Sequence, residues 1–143
     1  MKLLMNEVLQ KVSNAKTKKE KIVLLQKFNT NALRSLLIIN FDESVISMLP
    51  DGAVPYTPNE APEGTEHTVL EKEYRLLYHF FKGGSKVSQG KREQMFVQLL
   101  EGLTAPEAET LILAKDKKIG KRYKITKATV TEAFPSIVWG NRS

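Results

Sequence analysis

Lys91-Arg92-Glu93-Gln94-Met95-Phe96-Val97-Gln98-Leu99-Leu100-Glu101-Gly102-Leu103 sets Met95, Phe96, Leu99, Leu100 and Leu103 on one helical face. Thr104-Ala105-Pro106-Glu107 follows directly. Its hydroxyl and carboxylate stand at capping-box spacing, and proline is tolerated in a first helical turn. The next helix therefore starts there, with Ala108, Leu111 and Ile112 inward, and its pattern breaks after Lys115. Two strong helices separated by a single cap point to an all-α chain.

The residues before them repeat the theme. Leu4, Val8 and Val12 form an i, i+4 stripe, and Thr17 with Glu20 caps a helix from Lys18 to Phe28 with Ile22, Leu25 and Phe28 inward. Asn29-Thr30-Asn31 is a turn and cap before a third helix holding Leu33, Leu36, Leu37 and Phe41. Asp42 is expected to cap a short helix with Val45, Ile46 and Leu49. Thr68 and Glu71 have capping-box spacing ahead of a helix to about Lys82, which places Leu70, Tyr74, Leu77, Tyr78 and Phe81 on one side. Gly83-Gly84 stops it. Ser85 to Gly90 reads as a polar loop, and Thr126 to Phe134 as a last short helix. No period-2 run and no internal repeat occurs. The expectation is a single compact domain of about seven or eight short helices over residues 1–138. It carries a flexible proline-rich surface loop at 50–66 and a tail at 139–143.

Composition narrows the class. In 143 residues, 41% are hydrophobic and 27% charged, enough for one core. The absence of cysteine removes disulfides, thiolate metal sites and cysteine nucleophiles together, and suits a reducing, cytoplasmic setting. The first residues turn polar too soon for a signal peptide, and no stretch is long enough to span a bilayer. His67 and His79 stand apart without metal-ligand spacing. No GxxxxGK[ST] or GxGxxG phosphate loop is present, and the carboxylates form no acid/base pair. A non-catalytic protein is expected, with no cofactor and no metal.

The formal net charge is +6, from 22 Lys+Arg against 16 Asp+Glu. Its placement says more than its size. Lys115, Lys117, Lys118, Lys121, Arg122, Lys124 and Lys127 crowd thirteen residues with one carboxylate, Asp116. Ile119, Tyr123 and Ile125 interleave as anchors, and Gly120 gives the backbone room to turn or approach a phosphate. Dense donors on an anchored segment suit phosphate contacts; the alternative is a solvated basic loop. Lys16, Lys18, Lys19 and Lys21 form a second cluster at a helix start, where they oppose the macrodipole. An ordinary solvated helix face is the alternative there. Lys86, Lys91 and Arg92 are a third, weaker group. Tyr74, Tyr78, Phe80 and Phe81 read as core rather than as a base-stacking platform. Trp139 either folds back onto the body or meets a partner.

Two stretches carry a resemblance. One is Leu111-Ile112-Leu113-Ala114-Lys115-Asp116-Lys117-Lys118-Ile119-Gly120 followed by Thr129-Val130-Thr131-Glu132-Ala133-Phe134-Pro135; the other is Lys16-Thr17-Lys18-Lys19-Glu20-Lys21 behind a first helix. Their order is similar to that of the helical N-terminal DNA-binding domain of ATP-dependent DNA ligases. The spacing between Gly120 and Thr129 is longer than in those domains, and the K-x-D-G nucleophile motif of the ligases is absent. The chain also resembles a family of small uncharacterised tailed-phage proteins, through Glu60-Ala61-Pro62-Glu63-Gly64-Thr65 and Lys115-Asp116-Lys117-Lys118. The resemblance implies a stand-alone, sequence-tolerant duplex-DNA-binding module acting in phage replication, repair or host takeover. It implies no sealing activity. The rival expectation is an interaction protein that inhibits a host enzyme or defence system through the proline loop and Trp139. A phage or host protein is thus a second candidate partner, and a membrane is not.

Overall fold

The computed structural model describes residues 3–58 and 68–142. Among these the architecture is all-helical: α1 (Met5–Asn14), α2 (Lys18–Lys27), α3 (Asn31–Phe41), α4 (Leu70–Glu73), a 3-10 helix (Tyr74–Phe80), α5 (Gln89–Gly102), α6 (Ala105–Lys115), α7 (Ile119–Tyr123) and α8 (Lys127–Ala133). The central element is α3. It buries Leu33, Leu36, Leu37 and Ile39 and touches α4, the 3-10 helix, α6 and α7. α1 packs on α2, α6 and α7, while α2 packs on α8.

Local chemistry explains most helix starts. Thr17, Thr30, Ser88, Thr104 and Thr126 each accept from the backbone N–H three residues on. Glu20 reaches back to the Lys16 N–H at 3.2 Å. Glu107 instead leaves its own cap. Its carboxylate, 1% exposed, accepts from Met5 N at 2.9 Å and Leu70 N at 2.8 Å. One buried acid thus satisfies the first turns of both α1 and α4, where negative charge is favoured.

That contact corrects the Thr68–Glu71 capping box. Thr68 Oγ1 donates to Glu73, and the N-cap position of α4 is Val69, whose side chain makes no cap bond. The α-helix expected to reach Lys82 stops at Glu73 and tightens into the 3-10 helix. Three residues per turn put Leu77 and Phe80 inward, where α spacing would have chosen Tyr78 and Phe81. Phe80 meets Phe96 edge-on at 5.0 Å. The following turn needs its glycines. Gly83 has φ +84°, and a Cβ on Gly84 would lie 2.0 Å from the Tyr78 carbonyl.

The expected helix at 42–49 is absent. Asp42 is the C-cap of α3, and residues 45–49 form no helix, with Ser47 bridging Phe81 antiparallel. Val45 and Leu49 still face the core while Ile46 and Met48 face out, an alternation of period two. Two backbone bonds, Met48 N to Phe80 O and Lys82 N to Ile46 O, outweigh a weak local helix signal. α5 begins at Gln89, two residues before the expected start.

Of the 50–66 loop, residues 50–58 are described, and they are fastened. Gly52 N–H donates to Asp116 Oδ2, and Thr57 N–H donates to Glu101 at 2.9 Å. Residues 59–66 and His67 lie outside the described residues. The 139–142 segment is also docked. Gly140 N–H and Arg142 both donate to Asp42 Oδ2.

Candidate nucleic-acid interface

The basic stretch after α6 is built from a helix stop, a short helix and a second stop. Lys118 N donates to Leu113 O and Lys117 N to Ala114 O, the paired bonds of a Schellman motif, with Lys117 at φ 59° where glycine is usual. α7 follows. Its first N–H, on Ile119, donates to the buried Asn40 side chain of α3 at 2.9 Å, and Tyr123 closes its inner face with a hydroxyl bond to Thr110 at 3.0 Å. Five residues with one glycine cannot hold a helix alone, so tertiary contacts nucleate α7. Ile119 and Tyr123 point in; Lys118, Lys121 and Arg122 point out. Lys124 ends α7 at φ 57°.

The predicted site residues divide into two groups. Lys115, Lys117 and Gly120 make contacts within the fold; of the two lysines, Lys115 is buried and Lys117 stays exposed. Lys115 is 3% exposed, and its Nζ donates to Pro50 O at 2.8 Å and to Asp116 Oδ1 at 2.5 Å. It clamps the start of the proline loop to the end of α6. Lys117 Nζ donates to Ile39 O at 2.7 Å and Asp42 O at 2.9 Å, capping the C-terminal carbonyls of α3. Burial draws its ammonium below the ordinary lysine value, and Asp42 and Glu43 partly offset this. Gly120 sits inside α7. A Cβ there would lie 2.8 Å from Ile125 O and 3.2 Å from the Phe41 ring, so the glycine serves packing. Arg92, from the third group, is structural too: 6% exposed, it donates to the carbonyls of His79 and Val87.

The remaining predicted residues lie on the surface, and the fold joins the two clusters. Lys21 Nζ of α2 donates to the Lys124 carbonyl at 2.5 Å. Lys18 pairs with Glu132 of α8 at 3.2 Å, so one charge of that cluster is compensated. Lys16, Lys19, Lys118, Lys121 and Lys124 are exposed, and none has a side-chain partner among the described residues. Arg122 lies over the Tyr123 ring at 4.8 Å, and Lys127 over Trp139 at 5.0 Å. Lys11, which sequence reasoning passed over, lines a groove of about 320 Å3 with Arg122, Asn6, Gln10 and the carboxylates Glu7 and Glu109. Its only signal was a lone cation on the outer face of α1.

Trp139 folds back. It is half-buried and its Nε1–H donates to Thr131 Oγ1 at 3.1 Å. Among the described residues no group of three metal-ligating side chains gathers, and no helix is long and apolar enough to cross a membrane.

Fold and surface together define a class: a small helical domain with exposed lysines on α2, α7 and the start of α8, in which α2 packs on α8 and bonds to the end of α7. The chain belongs to a family of unknown function (DUF6433), whose model matches residues 8–121. The match takes in α2 and most of α7 and leaves out Arg122, Lys124 and α8. No curated protein and no solved structure matches the chain.

Proposed function

We propose that this protein is a non-catalytic, sequence-tolerant binder of duplex DNA. Lys16, Lys19, Lys21, Lys118, Lys121, Arg122, Lys124 and Lys127 would neutralise backbone phosphates. The observation that carries the proposal is the Lys21–Lys124 bond, which brings two basic stretches about a hundred residues apart together at one point, and we take their exposed lysines as one face. Charge gathered from separate elements onto one surface raises the local potential more than either cluster does alone. The resemblance to ligase DNA-binding domains and tailed-phage proteins supplies the setting: replication, repair or takeover of host DNA in the host cytoplasm.

The test is a fluorescence-anisotropy titration of duplex DNA at several salt concentrations. The expected result is a log–log slope near −0.9 for each phosphate contacted, independent of sequence. Salt-independent binding, or none at low salt, overturns the proposal.

A further inference from the structure

A groove lined by aromatic and cationic side chains opens on the described surface. It encloses about 490 Å3 between the end of α3, the 3-10 helix and the turn at Gly83-Gly84. Tyr74, Tyr78 and Phe81 line it, together with Arg75, Lys82 and Arg142, and no carboxylate among the described residues does. The 3-10 winding creates this surface: it turns Leu77 and Phe80 inward and leaves Tyr78 52% exposed.

The aromatic side chains are held in place. Tyr78 leans on the His79 ring, with centroids 4.0 Å apart. The Tyr74 hydroxyl accepts from Asn31 at 3.1 Å and from Arg75 Nε at 3.3 Å. Arg142 is anchored through Nη1 to Asp42, and a guanidinium carries further N–H donors beyond that nitrogen. Lys82 has no side-chain partner among the described residues.

Flat rings interleaved with cations match a polyanion with exposed π faces. A duplex hides its base faces, whereas a single strand presents them. We infer that this groove binds single-stranded nucleic acid, with bases stacked on Tyr78 and its aromatic neighbours and phosphates held by Arg75, Lys82 and Arg142. The inference goes beyond duplex binding on the lysine face, and each can fail without the other.

The experiment titrates a labelled oligothymidylate and a labelled duplex against the wild-type protein, Tyr78→Ala, and Arg75→Glu/Lys82→Glu. All three targets are surface side chains, and circular dichroism checks that each variant is folded. The expected result is single-strand affinity about tenfold lower for Tyr78→Ala, from the loss of one stacked base, with duplex affinity unchanged. Photocrosslinking of an iodouracil-substituted strand should label the peptide spanning residues 74–82. Equal loss on both nucleic acids, unchanged single-strand binding in the variants, or crosslinks confined to α2 and α7 overturns the inference. So does an acidic, aromatic peptide that binds the groove where the oligothymidylate does not.

Discussion

Lys21 and Lys124 stand 103 residues apart, yet the ammonium of one donates to the backbone carbonyl of the other. The bond seats α2 against the end of α7, where the Lys124 side chain is exposed. Charge reversal at Lys21 removes that bond as well as the charge, so DNA binding is compared on variants that circular dichroism shows to be folded. For the double variant Lys21→Glu/Lys121→Glu, the salt slope of duplex binding should fall by about 2, near 0.9 for each phosphate no longer neutralised. Anisotropy at four salt concentrations checks it, and an unchanged slope would move the interface elsewhere.

Lys124→Gly should separate stability from binding. Glycine adopts φ 57° without the side-chain clash, so the variant should be as stable as the parent or up to about 1 kcal/mol more stable. Its duplex affinity should nevertheless drop. Urea unfolding paired with a binding titration reads both quantities, and a marked loss of stability would contradict the account of that turn.

Lys115 predicts the reverse pattern. Its ammonium and the Asp116 carboxylate are almost wholly buried together, and the ammonium also holds the Pro50 carbonyl. Lys115→Met strands the acid and the carbonyl and should cost about 3 kcal/mol, measured by urea unfolding. The salt slope of DNA binding should not change, because this lysine never meets solvent.

Asp42 makes the fold acid-sensitive. Burial pushes its carboxyl up, but bonds from the Ser44 hydroxyl, the Gly140 and Ser44 N–H groups and Arg142 outweigh that and hold it well below the ordinary carboxylate range. Between its folded pKa and the unfolded value near 4, the unfolded chain binds more protons, so stability rises with pH across that window. The contribution is complete above about pH 4 and is lost as pH falls further. Asp42→Asn should be less stable at pH 7 and should lose less than the parent between about pH 4 and pH 2 (urea unfolding at each pH). Parallel losses would rule out this carboxylate as the cause.

Gly120→Ala should destabilise by about 1–3 kcal/mol, since the new methyl meets the Ile125 carbonyl at 2.8 Å inside a packed helix. Thermal unfolding measures it. A neutral result would return Gly120 to the role of a phosphate-approach residue.

Local sequence determined a good deal. The threonine and serine caps, the apolar stripes of α1, α3, α5 and α6 and the single-domain all-α class all follow from interactions within a few residues, which any segment carries with it. The presence of two basic clusters is local in the same sense. Tertiary structure decided the rest. Whether Asp42 starts a helix or ends one depended on Gly140 and Arg142, nearly a hundred residues away. The helix after Glu73 became 3-10, which turned Tyr78 from an expected core residue into an exposed one. α7 exists because Asn40 and Thr110 hold its two ends. Among seven cations within thirteen residues, packing buried Lys115, tied the exposed Lys117 to two carbonyls at the end of α3 and left the others to solvent. A lysine's charge is the same in either place; only the carbonyls and carboxylates that packing brings to it decide whether its ammonium is tied to the fold.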